Sequence, residues 1–97
     1  MPMVIVQKWE ESERGWGVRP DGYSIHRSME ALGKYLKNYW DSMPDEAPDE
    51  YSRPSGKPYP ADVDLGSFEN LDNRDGIRYW SNNYPGDGGT DGWKNAS

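Results

Sequence analysis

Hydrophobic positions along this chain follow two rhythms, and one long stretch follows neither. Met3–Trp9 (MVIVQKW) carries the β-branched run Val4, Ile5 and Val6, which predicts a short strand. Glu10–Arg14 is polar and charged and reads as a turn. Trp16–Arg19 predicts a second strand, entered through Gly15 and Gly17. Pro20-Asp21-Gly22 reads as another turn, because proline presets φ and glycine tolerates positive φ. Tyr23–His26 (YSIH) then alternates as a third strand, so this region predicts two or three antiparallel strands.

The rhythm changes at Ser28, a side chain suited to N-capping, with Glu30 in the first turn of the helix that Ser28 would cap. Met29, Leu32, Leu36, Tyr39, Trp40 and Met43 recur at three- and four-residue steps, an amphipathic helical face. Glu30, Lys34, Lys37, Asn38 and Asp41 fall opposite. Gly33 lies on the apolar side, where it would let the helix approach the sheet closely. Pro44 ends the helix.

Residues 44–60 hold five of the eight prolines, interleaved with Asp45, Glu46, Asp49 and Glu50. This predicts a stiff, extended, ordered loop lying across the domain, with no room for ordinary helix or strand. Ser67–Asn73 predicts one helical turn closed by Asp75-Gly76, and Ile77–Trp80 a last strand. From Ser81 the chain is rich in Gly, Asn and Asp and reads as a flexible tail over 81–97. The sum is a single domain, residues 1–97, of α+β class: a small antiparallel sheet packed against one amphipathic helix, with a loop-rich C-terminal half.

Composition sharpens this picture. Five Trp and seven Tyr stand against eleven Ile, Leu and Val together, and hydrophobic residues make up 33% of the chain. Tyr and Trp join an apolar body to a polar tip that needs a partner. So many of them beside a thin core point to aromatic surface used for recognition or self-association. A homodimer, or a higher homo-oligomer, is the expectation. The 97 residues include no cysteine, which removes disulfides and thiolate metal sites and fits a cytoplasmic protein. No long apolar run or signal sequence is present, so no membrane partner is expected.

The net charge of −6 is unevenly placed. Residues 1–40 carry six basic and five acidic side chains, whereas residues 41–97 carry five and twelve. An acidic surface repels phosphate backbones, which excludes polymeric nucleic acid as a generic partner. The same acidity either serves solubility or docks on a basic protein, and Asp45, Glu46, Asp49 and Glu50 would carry the docking.

Candidate chemistry is sparse. His26 is the only histidine. Ser24 or Ser28 could stand beside it, but nothing resembles a nucleophile elbow, so no catalytic residue is assigned and an enzyme is not expected. Asp87-Gly88-Gly89-Thr90-Asp91-Gly92 offers oxygen ligands at close spacing. It lacks the order and the closing glutamate of a calcium loop, so no metal or cofactor is assigned. The remaining constellation is arginine with aromatics. Arg14, Arg19 and Arg27 bracket the hairpin carrying Trp16 and Tyr23, and Arg53 sits between Tyr51 and Tyr59. Guanidinium forks grip phosphate and aromatic faces stack on bases. Trp16, Arg19, Tyr23, Tyr51 and Arg53 are therefore the candidate ligand-binding set, for a small nucleotide-like ligand. The competing reading places those aromatics in the core and pairs the arginines with nearby acids.

Trp16-Gly17-Val18-Arg19-Pro20-Asp21-Gly22-Tyr23-Ser24-Ile25-His26, Glu50-Tyr51-Ser52-Arg53-Pro54 and Gly88-Gly89-Thr90-Asp91-Gly92-Trp93 resemble, in style, small proteins carried by phages and prophages. The resemblance spans most of the chain and brings no catalytic residues with it. It implies a counter-defence protein that either sequesters a nucleotide-derived signalling molecule or blocks a host defence protein, in the manner of anti-CRISPR proteins.

Overall fold

A computed structural model describes residues 2–13, 17–44 and 50–86. In chain order the elements are β1 (Met3–Glu13), β2 (Gly17–His26), α1 (Met29–Asp41), β3 (Glu50–Asp62), α2 (Leu65–Glu69) and β4 (Ile77–Tyr79). The strands form one antiparallel sheet in the order β3-β1-β2-β4. With α1 packed on it, this is the α+β architecture that the pattern predicts. Among the described residues no helix is long and apolar enough to cross a membrane.

The N-terminal strands number two, within the expected two or three, and are longer than expected. β1 continues through the charged Glu10–Glu13 stretch, because both of its edges are paired there, with Gly17–Pro20 on one side and Glu50–Arg53 on the other. Pro20-Asp21-Gly22 is not a turn. It is a bulge inside β2: Lys8 pairs with Tyr23 and Glu10 with Pro20, so Asp21 and Gly22 together face Trp9. Gly22 sits at φ +81, and a Cβ there would overlap the carbonyl oxygen of Tyr79. Turn and bulge use the same local chemistry, a glycine at positive φ. Trp16 lies outside the described residues.

The proline-rich segment is the largest departure. Residues 50–62 form β3, paired with β1 along its whole length, rather than a loop. β3 is an edge strand, where a proline's missing N–H is tolerated if that position faces outward, and where prolines discourage further strand addition. A second bulge divides it: Val6 pairs with Tyr59 and Lys8 with Ser55, leaving Gly56, Lys57 and Pro58 opposite Gln7 alone. Gly56 takes φ +71. The buried Gln7 amide donates to the carbonyls of Ser55 and Gly56, both at 3.2 Å, occupying acceptors that the interrupted ladder leaves over.

α1 starts as its cap predicts, with Ser28 Oγ accepting from Ala31 N at 3.1 Å. Its packed face is rotated from the expected one. Leu32 is buried and Leu36, Tyr39 and Met43 are half-buried, but Met29 and Trp40 are 56% and 42% exposed. Tyr35 takes their place, packing edge-on against Trp9 and His26. Gly33 is exposed with open space where a Cβ would be, so it serves no close approach.

Side chains alternate across the sheet and make two different cores. Val4, Val6, Ile25 and Ala61 share one face, closed by Val63 and Leu71, with Phe68, Tyr23, Tyr59, Ile77 and Tyr79 around them. Trp9, Ser24 and His26 lie on the other, under α1. α2 begins two residues earlier than expected, capped by Asp64, and continues as turns to Asn73. Ser81–Gly86, expected to be part of a flexible tail, instead forms a strap over the apolar face. Asn82 Oδ1 accepts from Gly22 N at 2.8 Å, and the Tyr59 hydroxyl donates to the Pro85 carbonyl at 2.9 Å. The rest of the expected tail, with the Asp87–Trp93 glycine segment, lies outside the described residues.

Candidate functional site

β1 places Glu10 and Glu11 at successive positions, so they project to opposite faces. Each collects one of the candidate arginines. Arg19 of β2 lies opposite Glu11 and binds its carboxylate through Nη2 at 2.7 Å and Nε at 2.9 Å. Arg53 of β3 lies opposite Glu10 and binds it through Nε at 2.5 Å, which holds the Glu10 carboxyl below its ordinary pKa. The two guanidiniums therefore do not converge. Tyr51 stays with Arg53, two positions along the same strand, and pairs in register with Ser12. Tyr23 is on the Arg53 face but beyond the β2 bulge, beside β4. Of the acidic docking set, Asp45, Glu46 and Asp49 lie outside the described residues, and Glu50 opens β3.

Tyr23 does stand in a cleft, with partners that local sequence does not reveal. It pairs across the sheet with Tyr79, and the rings stack at 5.0 Å with an interplanar angle of 18°. Tyr84 of the strap meets the Tyr23 ring edge-on at 6.0 Å. Between this pair, the start of α2 and the strap opens a cleft of about 370 Å³. Its apolar wall is Ile25 and Val63; its polar rim is Asp62, Asp64, Ser67 and Asn83. Asp64 accepts from Ser67 N at 2.9 Å and Ser67 Oγ at 2.7 Å, and these bonds hold its carboxyl below the ordinary value. Burial raises the Tyr23 phenol, and the nearby Tyr79 and Asp64 raise it further, so it remains a neutral donor. Among the described residues, no lysine, arginine or histidine lines this cleft.

A smaller pocket of about 160 Å³ lies on the other side of Tyr84, lined by Lys8, Glu10, Arg19 and Ser55 among others. The Lys8 ammonium is 4.7 Å from the Tyr84 ring and 5.8 Å from that of Tyr59. Arg19, which also lines this pocket, is bound to Glu11.

The opposite face holds a chain of buried polar groups. Trp9 Nε1 donates to Ser24 Oγ at 2.8 Å, and Ser24 Oγ is 2.7 Å from His26 Nε2. His26 Nδ1 is 2.7 Å from the Asp75 carbonyl oxygen. A carbonyl only accepts, so Nδ1 carries the proton and Nε2 accepts from the Ser24 hydroxyl. Burial pushes the His26 pKa down, opposed in part by the Asp75 carbonyl, and the ring is neutral at pH 7. Serine and histidine stand at the separation of a nucleophile and its base. Both are fully buried, and a Cβ at Gly76 would overlap the imidazole, so the backbone seals the ring. This chain braces the fold. Beside it, Arg78 lies between the rings of Trp9 and Trp80, at 4.4 and 4.3 Å, and donates to the Asp21 carbonyl at 2.6 Å.

Among the described residues, no three His, Asp or Glu side chains are grouped to hold a metal ion. Comparison with family models, with curated proteins and with solved structures finds no match to this chain.

Proposed function

We propose that this is a non-enzymatic binding protein that captures a small, flat, nucleoside-like ligand in the Tyr23 cleft. The observation that carries the reading is the stacked Tyr23–Tyr79 pair facing Asp62, Asp64, Ser67 and Asn83 across a cleft of about 370 Å³. Pockets of this size, with apolar walls and a few convergent polar groups, suit small organic ligands. The carboxylates and the amide match amino-bearing ring edges. A rim built of acids and amide directs recognition to the base and away from phosphate. On the phage resemblance, the protein works in the cytoplasm by sequestering a nucleotide-derived signal.

Calorimetry with nucleosides and the matching mono-, di- and cyclic nucleotides tests this. Binding of an amino-bearing base, lost in Tyr79→Ala, is the expected result. No heat from any of them up to millimolar concentration would overturn it.

A second reading, docking on a host protein, is favoured by Trp40 and Trp80, which are 42% and 69% exposed. Exposed tryptophans of this kind are typical interface anchors.

A further inference from the structure

A second cleft lies on the opposite face of the sheet, between α1 and residues 75–76. It measures about 380 Å³ and is lined by Tyr35, Asn38, Tyr39, Ser42, Asp75 and Gly76. We infer that it binds a neutral polyhydroxylated ligand of about monosaccharide size, independently of the Tyr23 cleft.

Its walls are fixed before any ligand arrives. The Tyr35 ring packs edge-on against Trp9 at 6.2 Å and His26 at 5.1 Å, and Tyr39 against Trp9 at 5.0 Å. The Tyr39 hydroxyl is committed to the Ser52 carbonyl at 2.5 Å, which pins that ring to β3. The floor is equally determined, because His26 Nδ1 holds the Asp75 carbonyl at 2.7 Å. Gly76 is required there, since a Cβ would overlap His26 and press on the Tyr35 ring. Groups held this way lose little conformational entropy on binding.

The chemistry of the lining selects the ligand class. Asn38 offers both a donor and an acceptor, Tyr35 a phenol, and Asp75 a carboxylate. Ser42 donates to the Tyr39 carbonyl at 2.9 Å and keeps its lone pairs. An apolar ligand would strip water from all of these without replacing it, a cost of about 1–3 kcal/mol for each polar group. An anion meets one carboxylate and, among the described residues, no cationic side chain in the lining. Hydroxyl groups each donate and accept, so adjacent hydroxyls can satisfy the amide and carboxylate together while the C–H face of the ring lies on tyrosine.

Three hexoses of one shape and different charge form the test: glucose, glucosamine and glucuronate, with galactose and mannose as neutral alternatives. Amide chemical shifts of the full chain are followed at sugar concentrations up to about 100 mM. The expected result is saturable change confined to residues 35–42 and 75–76 with a neutral sugar, at least as strong as with glucosamine and stronger than with glucuronate. Asn38→Ala and Asp75→Asn should each weaken it by about fivefold to tenfold. Asn38 is exposed, and at the half-buried Asp75 the change to Asn keeps the backbone carbonyl that His26 uses, so the fold is retained. Tyr79→Ala should leave it unchanged. Silence with every neutral sugar, binding of glucosamine alone, or binding that survives both substitutions would overturn the inference.

Discussion

Ser24 and Ile25 are neighbours on β2, both fully buried, and they point to opposite faces of one sheet. Around Ile25 the neighbours are Val4, Val6, Ala61, Val63 and Leu71, and cohesion there is removal of apolar area from water. Around Ser24 they are the Trp9 indole and the His26 imidazole, each tied to its hydroxyl. Further along the same face Arg78 and Ser52 both bond Asp21, and Tyr39 bonds Ser52. An apolar face loses stability in proportion to the volume removed. A polar face loses it by leaving partners stranded, so the same size of deletion should cost more there.

That contrast sets the largest expected effect. Ser24→Ala deletes one oxygen and strands both the Trp9 N–H and His26 Nε2, at about 1–3 kcal/mol for each buried group. Ile25→Val deletes one methylene from the other face and should cost about 0.5–1.5 kcal/mol. Urea denaturation of the two variants makes the comparison directly. If Ser24→Ala costs no more than Ile25→Val, the polar chain is not what holds its face.

A smaller effect separates the faces by pH. His26 has a folded pKa below its ordinary value near 6.5, so the unfolded chain takes up its proton first as pH falls. The stability tied to neutral His26 is fully present above that value. It is lost as pH drops through 6.5 toward the folded pKa, by at most about 1.4 kcal/mol per pH unit for one proton. Denaturation midpoints measured from about pH 8 down to about pH 5.5 should show this slope in the wild type and not in His26→Gln. A slope that persists in the variant would assign the titration elsewhere.

The difference between the faces also explains what could be read from sequence. α1 was legible because its signals are local: Ser28 caps it, Glu30 sits in its first turn, and Leu32, Leu36 and Tyr39 repeat at helical spacing. β3 was hidden because Pro54, Pro58 and Pro60 read as breakers, and only its edge position makes them tolerable. The bulge at Asp21-Gly22 was hidden because it carries the residues of a turn. Trp9, Ser24 and His26 are spaced so that strand alternation would place them together, but only once the β1–β2 register is known. Tyr79, Asp64 and Asn83 reach Tyr23 through the fold alone, which is why the cleft was legible at one of its residues and not at the others.

The smallest expected effect concerns an arginine, and it tests whether the faces are functionally separate. Arg19 is bound to Glu11 on the Trp9 side of the sheet, with its side chain 62% exposed. Exposed ion pairs of this kind contribute about 0.2–1 kcal/mol, because water screens the charges and holding the side chain costs entropy. Arg19→Ala should therefore move the denaturation midpoint only slightly. It should also leave affinity for a ligand in the Tyr23 cleft unchanged, since Tyr23 and Tyr79 lie on the other face, beyond the bulge. Tyr79→Ala, which removes half of the stacked pair, should lower that affinity. The decisive measurement is calorimetry of both variants against the same nucleoside. An affinity loss of tenfold or so in Arg19→Ala, worth about 1.4 kcal/mol, would mean that its guanidinium leaves Glu11 to grip the ligand across the sheet. The two faces would then serve one site.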